Sequence, residues 1–144
     1  MVVVAIATIL LAVAVPSYMT YMRQSRRTEA RTAVLDLAGR EERFFSTNGA
    51  TYTSTAAPLG YAALPTPVGS GYYSLSVCVA AAAGTTPPCD PNANAPGGPS
   101  FYITATPVPG QSQAADGECT SFSVDSQGQQ FATGSQSSAF CWAN

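Results

Sequence analysis

The first 15 residues read MVVVAIATILLAVAV and are apolar except for Thr8. As a helix they extend roughly 22 Å at 1.5 Å per residue, which is less than the ~30 Å hydrocarbon core of a bilayer. Three interpretations compete: a cleaved signal peptide, a helix buried in a protein core, and a membrane helix whose first residues precede Met1. A signal peptide would have a basic start and a small-residue cleavage site, which this stretch lacks. The membrane helix is favoured because helical patterning continues beyond Pro16.

The residues after Pro16 have the spacing of an amphipathic helix, because apolar positions recur every three or four residues and charged residues lie between them. Pro16 has no backbone N–H and is expected to loosen the helix one turn earlier, and Asn48-Gly49 is expected to end it. A helix over residues 1–46 would be about 69 Å long. A compact chain of this length has a radius of gyration of about 15 Å, so the helix must protrude. The apolar positions are Ala30, Ala33, Val34, Leu37, Ala38, Phe44 and Phe45.

Composition and charge limit the possible functions. Only 10% of the 144 residues are charged, against about 25% in an average soluble domain. Histidine is absent, so neither a Ser-His-Asp nor a Cys-His arrangement can form, and no catalytic, cofactor, metal or small-molecule site is predicted. All six basic residues are arginines between Arg23 and Arg43, and the net charge is −2. The head is therefore predicted to bind no nucleic acid.

The acidic residues are predicted to be exposed. Glu41 and Glu42 are assigned to a solvated helix face, and Asp116, Glu118 and Asp125 to loops beside the last hairpin. Convergence of the latter three on Ca²⁺ is the alternative, although the EF-hand spacing is absent.

From Thr51 onward the chain is rich in Gly, Pro, Ser and Thr, and residues 47–70 are interpreted as a loop. Alternating apolar residues predict strands within residues 72–80, 100–108 and 119–126, and the QQFAT stretch at 129–133 is a possible fourth. The predicted fold class is α+β: a long protruding N-terminal helix whose C-terminal half packs on a three- to four-stranded antiparallel sheet. The core-facing positions are Tyr73, Leu75, Val77, Val79, Phe101, Ile103, Ala105, Phe122 and Val124.

Four cysteines allow three pairings. Pairing of sequence neighbours, Cys78–Cys89 and Cys119–Cys141, closes two small loops and stabilises each by about 3 kcal/mol. Zinc binding is the alternative, but no Cys-x₂₋₄-Cys knuckle is present. Disulfides place the head in an oxidising compartment. The Pro- and Gly-rich residues 80–99 between the first two strands are interpreted as a surface loop, and whether it is variable or functional stays open.

Two stretches resemble a known family. Residues 1–53 resemble the N-terminal half of a bacterial type IV pilin in the apolar segment, in Pro-Ser-Tyr at 16–18 and in Arg-Arg-Thr-Glu-Ala at 26–30. Residues 117–134, GECTSFSVDSQGQQFATG, with the later Cys141-Trp142, resemble the disulfide-bounded end of pilins from Gram-negative bacteria. The resemblance covers about half of the chain.

The resemblance implies a structural subunit rather than an enzyme. Its precursor would be held in the inner membrane with the head in the periplasm, trimmed and methylated by a prepilin peptidase, and assembled by the pilus machinery into an extracellular helical filament for adhesion and twitching motility. Family members carry a glutamate two residues ahead of the methionine that matches Met1, so the mature start is expected ahead of Met1.

The resemblance also implies that two parts of the chain have different roles. Residues 1–22 would form the filament core and membrane segment. Residues 23–144 would form the head, which comprises the amphipathic half of the helix, the loop 47–70, the sheet and the disulfide-bounded region 119–141. The arginines of the expected interface would meet acids of neighbouring subunits, and the helix would loosen at Pro16 in the filament. The expected interface residues are Val3, Ile6, Ile9, Leu10, Val13, Pro16, Tyr18, Tyr21, Arg23, Arg26, Arg27 and Arg31.

A major pilin is the expected member of this class. A minor pilin and a type II secretion pseudopilin are the alternatives, and Cys119 and Cys141 favour a pilin over a pseudopilin. A membrane-anchored secreted enzyme is a remote alternative.

Overall fold

The protein is described by a computed structural model that covers residues 2–80 and 97–143. One helix, α1 (Val2–Thr47), contains 46 residues without a break and is therefore about 69 Å long. The chain reverses immediately after it, where Gly49 has a φ of 71° and the Asn48 amide donates to the Phe44 carbonyl at 2.9 Å. A left-handed residue just past a helix is a common way to end it, and the predicted stop at Asn48-Gly49 is confirmed.

Within residues 2–80 and 97–143, five antiparallel strands form one sheet in the order β1-β2-β3-β4-β5. They are β1 (Thr66–Val68), β2 (Tyr73–Ala80), β3 (Ser100–Pro107), β4 (Ser121–Asp125) and β5 (Gln130–Thr133). Two 3₁₀ turns, Ala57–Leu59 and Ser112–Ala115, lie in the connections, and a short helix, α2 (Ser138–Ala143), follows β5.

The α+β fold class and the antiparallel sheet are confirmed, but the predicted strand number of three to four is wrong. The additional strand, β1, lies inside the predicted loop 47–70 and was missed because Pro65 and Pro67 argue against a strand. β1 is an edge strand, where a proline that lacks an N–H removes no hydrogen bond of the sheet.

The core lies between one face of the sheet and the second half of α1. Leu75 pairs with Ala105, and Ala105 with Phe122, so that three strands contribute neighbouring apolar side chains. Ala30, Val34 and Leu37 of α1 cover them and are fully buried. Alternation of buried and more exposed residues along β2 and β3 follows the predicted pattern, because successive side chains in a strand point to opposite faces.

The apolar first part of α1, residues 2–21, is exposed wherever its side chains are described. Its large apolar side chains range from 79% exposed at Val3 to 50% at Met19. The helix is long enough and apolar enough to cross a membrane by length and composition. The helix is unbroken across Pro16, so the loosening predicted for the assembled filament stays a prediction.

A disulfide joins Cys119 to Cys141, with the two Cα atoms 5.6 Å apart. This bond ties the start of β4 to α2. Cys89 lies outside the described residues, as does most of the loop 80–99, so the Cys78–Cys89 pairing stays a prediction.

Candidate functional site

The candidate site is the helix surface from Val3 to Arg31, which comprises an exposed apolar segment followed by four arginines. The predicted interface residues of the apolar segment whose side chains are described are all more than half exposed in the single subunit. No described part of the chain covers them, so this surface is available to lipid or to other copies. These residues are Val3, Ile6, Ile9, Leu10, Val13, Tyr18 and Tyr21.

Arg27 is buried inside the subunit. Its Nε donates to Asp116 Oδ2 at 2.7 Å and its NH2 group donates to Asp116 Oδ1 at 2.7 Å and to Glu118 Oε2 at 2.8 Å. Arg27 and Asp116 are each only 2% exposed. Burial alone would raise the pKa of Asp116, but the hydrogen bonds and charge of Arg27 outweigh it and hold that pKa below its ordinary value.

A polar network extends this pair to the sheet. Gln113, in the 3₁₀ turn, donates through Nε2 to Asp116 Oδ2 at 2.9 Å and to the Tyr73 hydroxyl at 3.1 Å. Burial is the main reason that the pKa of Tyr73 is raised to about 12. The pair and its neighbours therefore fasten α1 to β2 and to the segment before β4.

This geometry corrects two predictions. Arg27, expected to meet acids of a neighbouring subunit, pairs with Asp116 and Glu118 of its own head. Asp116 is not an exposed turn acid, because it faces Arg27. Within residues 2–80 and 97–143, no three His, Cys, Asp or Glu side chains lie close enough together to hold a metal ion.

Arg31 holds the C-terminal helix. Its NH1 group donates to the Trp142 carbonyl at 2.7 Å and its NH2 group donates to Thr28 Oγ1 at 2.9 Å. A cation at the C-terminus of a helix satisfies carbonyls that have no partner within that helix. Arg31 is therefore engaged within the subunit as well.

Arg23 and Arg26 are the members of the group that pair with neither an acidic side chain nor a helix-end carbonyl among the described residues. Arg26 lies over the ring of Tyr72, with its Cζ 3.6 Å from the ring centroid, and donates to Ser112 Oγ at 2.8 Å. These contacts fix the guanidinium at one end of the head. The structure gives Arg23 no hydrogen bond or ion pair to any described residue.

Glu41 is also buried, which corrects its assignment to a solvated face. It is fully buried, and its Oε2 accepts the Thr53 amide at 3.2 Å, whereas Oε1 has no partner within the described residues. Burial raises its pKa to about 7. Glu42 is exposed as predicted and accepts a hydrogen bond from the Tyr52 hydroxyl at 2.9 Å.

The sequence did contain a signal for both buried charges. Arg27 precedes the apolar position Ala30 by three residues, and Glu41 follows the apolar position Leu37 by four. Both residues therefore continue the buried stripe of α1 at helical spacing. Interpreting every charged residue on the helix as solvated overlooked this spacing.

The other end of the amphipathic half carries a second pair of arginines. Arg40 Nε donates to Asp36 Oδ2 at 2.8 Å, an exposed pair at the i,i+4 spacing of a helix. Arg40 and the exposed Arg43 border a groove of about 440 Å³ between α1 and the 3₁₀ turn Ala57–Leu59, with Phe44 and Pro58 in its wall.

A helix with an exposed apolar half, whose other half crosses an antiparallel sheet beside a disulfide-bounded C-terminal region, defines a type IV pilin. A family model described as "Type IV minor pilin ComP, DNA uptake sequence receptor" matches residues 16–123. The chain belongs to this family.

Among solved structures, the chain is similar to one described as a type IV pilin from Shewanella oneidensis. The two are 26% identical with a TM-score of 0.45, over 75% of this chain and 89% of that chain. No curated protein matches the chain.

The family match confirms the predicted type IV pilin, which is a class of structural subunits and not of enzymes. It does not support the expected major pilin, because the family description names a minor pilin. The same description, a DNA uptake sequence receptor, conflicts with the prediction that the head binds no nucleic acid.

Proposed function

We propose that this chain is a minor pilin, a subunit present in few copies in a type IV pilus. The observation that carries the proposal is the family match over residues 16–123, which spans the second half of α1 and the sheet up to β4. The precursor is anchored in the inner membrane with its head in the periplasm, where the Cys119–Cys141 disulfide is stable. A prepilin peptidase and the pilus assembly machinery then act on it.

In this proposal residues 1–22 enter the filament core and residues 23–144 form the head. Exposed side chains such as Val3, Ile9 and Val13 exchange lipid for the helices of other subunits. The exchange costs little because both surroundings are apolar. Arg23 and Arg26 are the arginines left to face the acids of a neighbour. The assembled pilus acts in adhesion and twitching motility.

Quantitative mass spectrometry of sheared filaments tests the proposal. A minor pilin is present well below the stoichiometry of the principal subunit, and filaments persist when its gene is deleted. Ile9→Asp should keep the chain out of filaments because a charge in an apolar core is costly, whereas Ile9→Leu should not. A chain that makes up most of the filament mass would contradict the minor-pilin proposal.

DNA binding is the second candidate function, and the family description favours it. The sequence limits its strength, because no Lys or Arg follows Arg43. Arg27 and Arg40 are paired with acids and Arg31 with carbonyls, which leaves Arg23, Arg26 and Arg43. We propose that DNA phosphates contact the groove edge at Arg43, beside the partly neutralised Arg40.

The salt dependence of binding tests this second function. If all three remaining arginines contact phosphates, the slope of log K against log salt is no steeper than about −3. Fluorescence anisotropy of a labelled duplex with the full chain in detergent micelles measures this slope. Arg43→Gln should reduce the slope by about 1, and Glu42→Gln is the matched control. A slope much steeper than −3, or one that Arg43→Gln leaves unchanged, would contradict the assignment.

A further inference from the structure

The apolar half of α1 ends where the arginines begin. The first 22 residues contain no charged side chain, and Arg23 follows immediately. Residues 2–22 form about 31 Å of uncharged helix, which is long enough to cross the ~30 Å hydrocarbon core of a bilayer. Tyr18 and Tyr21, 64% and 68% exposed, lie near the end of this segment. Tyrosines are enriched at this depth, where hydrocarbon meets headgroups.

Arg23 and Arg26 lie at the depth of lipid phosphates when this helix spans a membrane. The headgroup layer is about 5–7 Å thick on each side of the hydrocarbon core. Arg26 is four residues beyond Met22, or about 6 Å along the helix. Both guanidinium groups therefore fall in the headgroup layer.

No acid among the described residues pairs with Arg23 or Arg26, which leaves these two charges uncompensated within the subunit. The Arg26 guanidinium contacts Tyr72 and Ser112 of the head. The head surface around these two residues therefore lies at the same membrane depth as Arg26. Glu29 receives hydrogen bonds from the Ser70 amide and hydroxyl, and Glu118 pairs with Arg27. Neither acid pairs with Arg23 or Arg26.

We propose that Arg23 and Arg26 bind the phosphate groups of anionic lipids and so hold the head of the membrane-anchored precursor against the bilayer surface. This inference rests on the proposed membrane-anchored precursor. Basic residues close to an anionic membrane each gain about 1 kcal/mol, or about fivefold in binding. Lipid phosphates and the acids of a neighbouring subunit compete for the same two arginines. On assembly into a filament, the arginines therefore release the lipid phosphates and bind the acids.

Lipid selectivity of the full chain tests the proposal. The chain is reconstituted in nanodiscs that contain equal parts of phosphatidylcholine and phosphatidylglycerol, and native mass spectrometry measures the lipids that stay bound to it. The wild-type chain should retain phosphatidylglycerol about 30-fold in excess, since each of the two arginines contributes about fivefold. Arg23→Gln should lower the excess about fivefold, and the Arg23→Gln/Arg26→Gln chain should lose it.

Two comparisons keep the result interpretable. Arg43→Gln removes the same charge at the far end of the head and should keep the excess, so a loss there would show that net charge alone is responsible and overturn the proposal. Arg23 makes no hydrogen bond or ion pair with any described residue, so Arg23→Gln should leave thermal unfolding of the head unchanged.

Equal retention of the two lipids by the wild-type chain would also overturn the proposal. If the double variant instead lost affinity for a DNA duplex while lipid retention was unselective, the arginines would face nucleic acid rather than lipid. Incorporation into filaments is measured separately. A chain that enters filaments normally but shows no lipid preference refutes this inference and leaves the proposed function intact.

Discussion

Arg27 shows how one charged residue decides whether the head folds. Its guanidinium and the Asp116 carboxylate form a two-pronged ion pair with both residues 2% exposed. Such a pair stabilises little compared with an apolar pair, but loss of one partner leaves an uncompensated buried charge. Substitution at Arg27 therefore tests folding and not assembly.

We expect Arg27→Met to lower the free energy of unfolding of the head by about 3–5 kcal/mol. Urea denaturation followed by near-ultraviolet circular dichroism measures it. Arg23→Met, at a partly exposed position of the same helix without a hydrogen bond or ion pair, should change the value by less than about 0.5 kcal/mol. Equal effects of the two substitutions would show that the buried pair is unimportant.

Asp116 also makes the stability of the head depend on pH. Because the pKa of Asp116 is lowered in the folded state, the stability that its carboxylate contributes is present above the unfolded pKa and is lost as the pH falls through the folded pKa.

Glu41 gives the head an opposite dependence on pH. Its pKa is raised to about 7, mainly by burial and further by the neighbouring Glu42, while the Thr53 amide opposes the shift. A raised folded pKa means that stability is fully present below the unfolded pKa and is lost as the pH rises through about 7. The shift corresponds to about 3 kcal/mol.

We expect Glu41→Gln to abolish the loss of stability between about pH 4.5 and pH 7, because glutamine does not ionise. Urea midpoints measured across this range test it, with Glu42→Gln as the control at an exposed neighbour. If Glu41→Gln still loses stability over this range as the native chain does, another group is responsible.

At the scale of elements, α2 closes the outer edge of the sheet. Ser138 Oγ accepts the Ala132 amide at 2.9 Å, and Trp142 Nε1 donates to the Phe131 carbonyl at 2.9 Å. Side chains of α2 thus satisfy backbone groups of β5 that another strand would otherwise pair with. Trp142 also packs edge-on against Phe122, and the Cys119–Cys141 disulfide holds α2 in place.

We expect the Cys119→Ser/Cys141→Ser chain to lose about 3 kcal/mol of stability, because the loop that the disulfide closes spans 22 residues. Release of α2 should also expose the edge of β5. Amide hydrogen exchange should therefore accelerate at Ala132 more than at Ile103 in the central strand. Uniform acceleration at both amides would indicate global destabilisation only, and would contradict the role of α2 as an edge cover.

The opposite edge of the sheet is protected differently. β1 has only three residues and includes Pro67, so it presents a short edge without a full set of donors. Neither edge invites strand addition, which supports the proposal that subunits associate through the exposed helix.

At the scale of the whole molecule, the hydrophobic core of the described residues includes no side chain from the apolar half of α1. The hydrophobic core begins at Ala30, and Arg27 secures α1 to the loop before β4. Residues 2–21 have exposed side chains wherever these are described. The stability of the head and the apolar character of the anchor are therefore separate properties.

We expect a head that starts at residue 23 to unfold with the same free energy as the full chain in detergent, within about 0.5 kcal/mol. A head that starts at residue 29 lacks Arg27 and should lose about 3–5 kcal/mol. Thermal and urea unfolding of the three chains provide the comparison. A large loss in the longer head would mean that the apolar half contributes to folding.

Local patterns in the sequence predicted most of the fold. The helix, its end at Asn48-Gly49 and strands β2 to β4 follow from apolar spacing and turn residues, which act over a few neighbouring positions. β1 was missed because Pro65 and Pro67 are typical of a loop. The position of β1 at the edge of the sheet depends on its pairing with β2. The apolar surface of the helix was predicted in the same way, because it follows from a continuous run of apolar residues and not from contacts with distant residues.

The sequence by itself determined an apolar helix that runs into an amphipathic one, an antiparallel sheet beside it, and arginines confined to residues 23–43. Tertiary structure alone decided which of these arginines are free. Arg27 binds Asp116, which is 89 residues away in the sequence, and Arg31 binds the Trp142 carbonyl, which is 111 residues away. No local sequence pattern predicts contacts over such separations. The cost of burying a charge without a partner makes such pairings decisive, and it leaves Arg23 and Arg26 for the surroundings of the subunit.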